Sequence, residues 1–180
     1  MELQQIVDDV FQAAQEGDTV RLNEFLESHP SLANMENNEG LTPLGYAAHF
    51  GKDDAVQGLL NHGADINALS HSKVSYIPSN TPLHAAIAGE RSMDVIRLLL
   101  THNAQTNILD SDGYTSLHSA AFHADNVELI QLLIDHGADI YTKSEDGESS
   151  LDIAIKQGNH NVAEYLRERG VFQNGNHNRP

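Results

Sequence analysis

Histidine is the residue type that most invites a chemical interpretation of this sequence, because 11 of the 180 residues are histidine. Imidazole binds metal ions, and it titrates near pH 6.5. A structural zinc site needs four ligands, usually with a closely spaced pair among them, and the chain has no cysteine and no HExxH pair. His118 and His123 are five residues apart, whereas a spacing of four places two ligands on one helix face. We therefore expect no metal and no cofactor, and a proton-responsive surface of imidazoles among acids stays open.

Carboxylates are the second candidate for chemistry, since general acid–base catalysis uses two of them across a substrate. The pairs in this chain (Asp8-Asp9, Asp53-Asp54 and Glu145-Asp146) are adjacent in sequence, so they need not converge on one substrate. No G-x-S-x-G elbow, P-loop or G-x-G-x-x-G loop is present. We expect no enzymatic activity.

The charge of the chain limits its partners. Ten basic and 26 acidic residues give a net charge of 10 − 26 = −16, and the basic residues are scattered. Such a chain repels nucleic acid and anionic membranes, so a partner attracted by the field is basic. Residues 1–39 hold nine acids against Arg21 alone. Simple solubility is the other explanation of this charge and stays open.

The sequence shows no pattern typical of a secretion signal or a membrane anchor. The acidic N-terminus lacks the basic start of a secretion signal, and no apolar stretch reaches the roughly 18–20 residues of a membrane span. The absence of cysteine excludes a disulfide framework. We expect a soluble, cytoplasmic protein.

A four-residue box recurs along the chain at spacings of 39, 34 and 34 residues. Small residues follow each copy, then a Leu-rich stretch with helical period, then a His-Gly-Ala-Asp-like ending. The four copies are Thr42-Pro43-Leu44-Gly45, Thr81-Pro82-Leu83-His84, Thr115-Ser116-Leu117-His118 and Ser149-Ser150-Leu151-Asp152. The recurrence indicates a repeat protein in which each copy is one structural unit.

Each part of the unit has a mechanical role. The Thr or Ser that opens the box supplies a helix N-cap oxygen, and proline at the next position has no N–H to lose. The Leu-rich stretch predicts a second helix that is buried on one side. Gly63, Gly137 and Gly170 predict left-handed ends of that second helix. Each unit is therefore predicted to be helix, turn, helix and a projecting loop.

The period of about 33 residues, the Thr-Pro-Leu-His box and the His-Gly-Ala-Asp ending resemble the ankyrin repeat. The resemblance implies an all-α ankyrin-repeat solenoid of about five helix-turn-helix units in a single domain over residues 1–172. The expected divisions are 1–35 (N-terminal capping repeat), 36–67 (repeat 2), 68–80 (extended loop), 81–107 (repeat 3), 108–141 (repeat 4), 142–172 (C-terminal capping repeat) and 173–180 (disordered tail).

Two departures from the repeat are specific to this chain. The spacing of 39 leaves room for about six extra residues within Ala68–Asn80, which predicts a longer loop, or finger, that contains Tyr76 and Ile77. The finger is either a specificity element or a flexible excursion without a role. Glu90 stands where Gly51 and Gly158 stand in other units, and the sequence offers no account of it.

The resemblance also implies where a partner binds, because ankyrin proteins mostly bind other proteins through a concave face and loop tips. The corresponding residues are predicted to be partner-binding, and they are Glu39, Leu41, His49, Phe50, Tyr76, Ile77, Asp112, Tyr114, Phe122, His123, Asp146 and Glu148. Aromatic anchors with an acidic rim suit a partner that carries basic and apolar residues. Alternatively, rings such as Tyr114 and Phe122 only close gaps between neighbouring loops.

The expected function is therefore a non-catalytic scaffold that binds a partner protein. The sequence does not fix the oligomeric state, and a monomer is favoured. The alternative is an acidic inhibitor or immunity-type protein that masks a basic functional surface of an enzyme or nucleic-acid-binding protein.

For the histidines, the resemblance implies that His84 and His118 hydrogen-bond an adjacent loop. Imidazoles at the ends of the second helices (His62, His102 and His136) are expected to serve the last carbonyls. The histidines left without such a role are His49, His71 and His123, and we expect these three to face the concave side.

Overall fold

The computed structural model describes residues 2–175, with side chains up to residue 170. Within this range the chain forms ten α-helices, one short 3-10 helix (Pro30–Asn34) and no strand, which confirms the all-α class. The α-helices are α1 (Leu3–Glu16), α2 (Thr19–Ser28), α3 (Pro43–His49), α4 (Asp53–Asn61), α5 (Pro82–Gly89), α6 (Met93–Thr101), α7 (Ser116–His123), α8 (Val127–Asp135), α9 (Ser150–Gln157) and α10 (His160–Gly175).

The helices follow one another as five pairs, and the residues expected to form one domain fall into two compact units. Unit 1 contains α1 to α6, with residues up to Gln105 and Asp110–Asp112. Unit 2 contains α7 to α10, with Thr106–Leu109 and the residues from Gly113 onward.

The predicted caps of the first helices are present. Thr42 Oγ1 accepts a hydrogen bond from the Gly45 N–H at 3.1 Å, and Ser149 Oγ accepts one from the Asp152 N–H at 3.1 Å. Thr81 and Thr115 cap α5 and α7 in the same way. Each oxygen satisfies an amide that the helix itself leaves unpaired, so the box fixes where each first helix begins.

Each unit has its own apolar core. Small residues of the first helices, such as Ala47 and Ala86, are buried and let those helices approach closely. In unit 1 the largest fully buried side chains are Leu22, Leu26, Leu32, Leu44, Leu59, Leu83, Ile87 and Leu99; in unit 2 they are Leu117, Ile130, Leu133 and Ile153. Each such side chain contributes roughly 1.5–3 kcal/mol relative to an exposed position, so packing rather than helix propensity stabilises the pairs.

The ends of the helices account for Glu90 and show that the helix end predicted at Gly170 is wrong. Gly63 and Gly137 adopt the predicted left-handed conformation, with φ of 83° and 94°. Glu90 takes φ of 52° at the end of α5, the same conformation that Gly158 adopts at the end of α9. The predicted helix end at Gly170 is wrong, because α10 continues through it to Gly175. The His-Gly-Ala-Asp-like sequence, which turns the chain at the end of the inner repeats, is absent at this position.

The expected tail overlaps this last helix. Residues 173–175, which we expected to be disordered, belong to α10, and residues 176–180 lie outside the described residues.

The finger is tied to the rest of unit 1 on two sides. On one side the His71 N–H donates to the Gly40 carbonyl and the Lys73 N–H donates to the Glu39 carbonyl, both at 2.9 Å. On the other side Ser79 exchanges hydrogen bonds with Ser111, at 2.8 and 2.9 Å. These bonds hold the base of the finger, and the tip is the segment of residues 73–78. A flexible excursion therefore does not describe the base of this loop.

Candidate functional site

The finger forms one wall of an open groove of about 350 Å³. Residues 72–79 line it together with Ser111 and Asp112 from the loop that precedes α7. Three of the residues predicted to bind a partner (Tyr76, Ile77 and Asp112) therefore line one groove although they are 35 residues apart in sequence. The hydrogen bonds between Ser79 and Ser111 bring these two loops together.

The groove is polar at its base and apolar at its tip. Ser79 Oγ accepts a hydrogen bond from the Ser72 N–H at 3.0 Å, so this hydroxyl closes the finger on itself. The Tyr76 side chain is 84% exposed. The Asp112 carboxylate and the Lys73 ammonium are exposed and form no ion pair with the described residues. The groove thus offers a carboxylate, an ammonium and an exposed ring to a ligand.

The two predicted residues in the turn before α3 are less available. The Leu41 N–H donates to Asn37 Oδ1 at 3.0 Å, and the Leu41 side chain is half-buried. Glu39 is exposed, while its backbone carbonyl accepts the hydrogen bond from Lys73. The main role of this turn is to hold the finger.

A row of aromatic rings runs through unit 1 and ends under an arginine. The rings of Phe11 and Tyr46 are 5.1 Å apart, and those of Tyr46 and Phe50 are 5.0 Å apart, measured between centroids. The Arg91 guanidinium lies over the Phe50 ring, with its carbon 4.9 Å from the centroid. One of its N–H groups donates to the His49 carbonyl at 2.9 Å. We call Arg91, Phe50 and His49 the Arg91–Phe50 platform.

The burial and charge of the platform lower the pKa of His49. Burial lowers the pKa of His49, the charge of Arg91 lowers it further, and a hydrogen bond with the Ala85 backbone acts in the opposite direction. In the middle of the row, burial raises the pKa of Tyr46 and the charge of Glu39 adds to that rise. His49 is therefore neutral near pH 7, and the positive charge of the platform belongs to Arg91.

In unit 2 the predicted residues around α9 gather near one lysine. Lys156 Nζ lies 3.0 Å from Glu148 Oε1 in an exposed ion pair. The hydrogen bond to Glu148 is the main cause that raises the pKa of Lys156, followed by the charge of Glu148, with smaller contributions from Tyr114 and Asp146 against the effect of burial. Three predicted residues are thus close to the same ammonium, which partly neutralises the acidic rim that we expected there.

The remaining predicted residues, Phe122 and His123, lie at the end of α7. The Phe122 side chain is 41% exposed and its ring contacts the His123 ring at 5.2 Å between centroids. The twelve predicted residues fall into two sets, with seven in unit 1 and five in unit 2.

Four of the histidines with implied structural roles make the expected contacts. His118 Nε2 donates to the Thr142 carbonyl at 3.0 Å, while its Nδ1 accepts from the Thr115 N–H at 3.1 Å. The ring Nδ1 atoms of His62, His102 and His136 lie 2.8, 2.8 and 2.9 Å from the carbonyl oxygen four residues earlier. His71 Nδ1 lies 2.6 Å from Glu36 Oε1. In the part of the chain that the structure describes, no three His, Asp or Glu side chains form a metal-binding group.

Sequence reasoning missed a series of asparagines that joins successive loops. Asn34 Oδ1 accepts from the Asp65 N–H at 2.7 Å, and Asn67 Oδ1 accepts from the Gln105 N–H at 2.8 Å, both in unit 1. Asn107 Oδ1 accepts from the Asp139 N–H at 3.1 Å in unit 2. Their spacings of 33 and 40 residues follow the repeat, so the period itself could have revealed them.

The comparisons with known proteins agree with this architecture. The family described as "Ankyrin repeats (3 copies)" matches residues 10–70 and 83–177, and "Ankyrin repeats (many copies)" matches residues 46–100. The matched part exceeds half of the chain, and the chain belongs to the ankyrin repeat family. Ankyrin repeats generally mediate protein–protein interactions and are generally non-catalytic.

Individual relatives match over less than half of this chain. Rabankyrin-5 of Mus musculus is 37% identical over 81 residues, which are 44% of this chain and 6% of that protein. Putative ankyrin repeat protein FPV031 of Fowlpox virus is 40% identical over 77 residues, or 43% of this chain and 21% of that protein. The serine/threonine-protein kinase VIK of Arabidopsis thaliana is 36% identical over 89 residues, or 49% of this chain and 19% of that protein. Among the described residues, no helix has the length and apolar character needed to cross a bilayer.

Proposed function

We propose that this chain binds a partner protein through the finger groove of unit 1. The observation that carries the proposal is the grouping of Tyr76, Ile77 and Asp112 around one opening. The base of the finger is held by backbone hydrogen bonds on both sides, so binding orders few additional residues. A preordered loop is favourable because ordering flexible residues on binding costs free energy.

The chemistry of the groove favours a basic residue of the partner next to an apolar one. Asp112 supplies an exposed carboxylate without an ion-pair partner among the described residues. Tyr76 and Ile77 supply apolar surface in the same groove. A charge-assisted hydrogen bond contributes about 1.5–3 kcal/mol when it is shielded from water, which is tenfold or more in affinity. The net charge of −16 adds long-range attraction for such a partner.

The test compares finger variants with matched controls. Proteins bound to the wild-type chain from native extract are quantified by mass spectrometry, and the dissociation constant of the main partner is then measured. We expect Asp112→Asn and Tyr76→Ala each to weaken that partner by about tenfold, since each removes one central contact. The controls are Asp135→Asn and Tyr141→Ala, which change an exposed acid and an exposed tyrosine of unit 2.

The proposal fails if the Tyr76→Ala/Asp112→Asn double variant keeps its helical circular dichroism and binds the same partner as tightly as the wild type. A loss that the controls reproduce would also contradict it, because the finger would then have no specific part in binding.

The residues of unit 2 supply further contact surface in this proposal. Phe122 is the most exposed of its aromatic candidates, and Tyr114 and His123 lie on the same repeat. Asp146 and Glu148 add acidic character next to Lys156. In this proposal we place the protein in the cytoplasm. The chain contains no cysteine, so it does not need the oxidising compartment in which disulfides form.

The acidic-inhibitor function remains the second candidate, and the charge of the first repeat favours it. Seven of the nine acids in residues 1–39 are exposed. A partner held by this charge should bind with a steep dependence on salt, because ions screen exposed charges over about 10 Å at 0.1 M. A partner held by the finger should depend on salt weakly. The salt dependence of the measured dissociation constant therefore separates the two functions.

A further inference from the structure

We infer that the Arg91–Phe50 platform is a second recognition site, and that it takes an Asp or Glu side chain of a partner segment next to an apolar residue. The inference rests on the proposed role in protein binding but not on the finger groove. It assigns opposite charge preferences to two sites of unit 1, one for a cation at Asp112 and one for an anion at Arg91.

Arg91 has hydrogen-bonding capacity that the described residues do not use. A guanidinium has five N–H donors, and the structure assigns one of them to the His49 carbonyl. The other donors of this exposed side chain make no hydrogen bond to the described residues. Since a guanidinium matches a carboxylate in planar, paired geometry, a carboxylate is the ligand that satisfies these donors best.

Arg91 also differs from most of the other basic residues of this acidic chain. Most of those with described side chains already have an acid, in the pairs Arg21–Asp9, Arg97–Asp94, Lys143–Asp152, Lys156–Glu148 and Arg167–Glu164. Arg169 instead bonds to the Tyr165 hydroxyl. Arg91 is the one arginine among the described side chains that has neither kind of partner. In a chain with 26 acids, such a position is not explained by a shortage of carboxylates.

Arg91 is held in place before any ligand binds. Its guanidinium stacks on Phe50, and its bond to the His49 carbonyl fixes the plane of the fork. Phe50 in turn packs on Tyr46, which packs on the buried Phe11. A fixed donor loses less side-chain entropy on binding than a mobile one. The half-buried Phe50 ring next to it provides apolar surface for the neighbouring residue of the partner.

The net charge of the molecule does not prevent this contact. The field of distant acids is screened over about 8 Å at physiological salt, whereas a bound carboxylate lies in hydrogen-bond distance of the guanidinium. The overall charge therefore slows the approach of an acidic segment more than it weakens the final contact.

The test uses a phage library of random linear peptides, selected in parallel on the wild-type chain and on Arg91→Gln. We expect the wild type to enrich peptides with Asp or Glu next to an apolar residue, and Arg91→Gln not to enrich them. A selected peptide should bind Arg91→Gln at least about tenfold more weakly, and Arg91→Lys should restore only part of the affinity. Arg97→Gln, which changes a half-buried arginine on α6 that is paired with Asp94, should bind normally.

A second measurement separates recognition from a structural role of Arg91. In nuclear magnetic resonance titrations at saturation, the pKa of His49 should be higher with the acidic peptide bound than with its amide analogue bound. Both peptides add burial, which lowers this pKa, but only the carboxylate offsets the charge of Arg91 that also lowers it. The amide analogue should also bind more weakly. All variants are checked by circular dichroism and thermal unfolding.

Three results would overturn the inference. One is a selection on the wild type that yields no excess of acidic residues. Another is equal binding of acidic peptides to the wild type and Arg91→Gln. The third is a selected acidic peptide that loses affinity on Asp112→Asn but not on Arg91→Gln. Failure of the finger proposal has a different signature, which is a partner insensitive to Tyr76→Ala and Asp112→Asn.

Discussion

At the scale of single residues, Glu90 is a position where local sequence and backbone conformation disagree. It adopts φ of 52°, which side chains other than glycine adopt at a cost, while Gly17, Gly51 and Gly158 hold the corresponding helix ends in three other repeats. In repeat 4 the corresponding residue is Ala124, which is extended with φ of −149°. The turn between the two helices of a repeat therefore often uses the left-handed conformation without requiring it, and Glu90 adopts it without being glycine.

We predict that Glu90→Gly stabilises the protein by about 1 kcal/mol, because it relieves the left-handed strain. The matched change is Gly158→Ala, which should cost about 1 kcal/mol since φ is 75° and no atom lies within 4 Å of the new methyl group. Urea unfolding midpoints at constant slope measure both. If Gly158→Ala loses stability and Glu90→Gly gains none, strain at Glu90 is offset by its own contacts.

A second residue-scale prediction concerns His49 and pH. The folded protein holds the pKa of His49 below 6.5, so below that pH the unfolded chain binds more protons at this residue and the free energy of unfolding falls. The contribution of His49 is thus present above pH 6.5 and is lost as the pH falls through its lowered folded value. In His49→Gln the loss of stability between about pH 7 and pH 5 should be smaller than in the wild type. The control is His29→Gln at an exposed position, and equal pH dependence in wild type and His49→Gln would contradict the prediction.

At the scale of helices, α3 and α5 approach so closely that a side chain does not fit between them at one point. A methyl group on Gly89 would lie 2.1 Å from the carbonyl oxygen of His49. This is the same carbonyl that accepts the hydrogen bond of Arg91. Packing of the two first helices and formation of the Arg91–Phe50 platform therefore depend on one glycine.

We predict that Gly89→Ala destabilises the protein by about 1–3 kcal/mol, because the helices must separate to accept the methyl group. Gly170→Ala in α10 is the control, where nothing lies within 4 Å and alanine should stabilise the helix by about 0.5–1 kcal/mol. Thermal or urea unfolding measures both changes. A neutral Gly89→Ala variant would show that α3 and α5 move apart at little cost.

Helix boundaries show how far the sequence determines this fold. Thr42 and Thr115 were predicted as caps and do cap their helices, because the N-cap requirement is local and recurs with the period. The end predicted at Gly170 was wrong, since glycine alone does not stop a helix when the turn sequence after it is missing. The stack of Arg91 on Phe50 could not be predicted, because it joins residues 41 apart whose meeting depends on side-chain direction.

At the scale of the whole molecule, charge is the dominant property. The chain carries −16, and many of its acids have no basic partner because only ten basic residues are present. Mutual repulsion between such charges opposes the compact state. Stability then depends on ionic strength as well as on packing.

We predict that added sodium chloride raises the urea unfolding midpoint, because salt screens repulsion between the acids of the folded chain. The rise should be smaller in a Glu24→Gln/Glu27→Gln variant, which removes two exposed acids from α2. An unchanged or lower midpoint in salt would mean that the acids are already arranged without net repulsion.

The attachment of the finger has a consequence for how recognition by this protein can be changed. Two of the hydrogen bonds that fix its base run between backbone atoms of residues 71 and 73 and those of residues 40 and 39, so they do not depend on which side chains the tip carries. The residue that must not change is Gly40, which contacts the base of the finger, because a methyl group on Gly40 would collide with the backbone of residue 71. An engineer could therefore exchange residues 73–78 for a new recognition sequence, and so redirect the molecule to another target, provided that position 40 stays glycine.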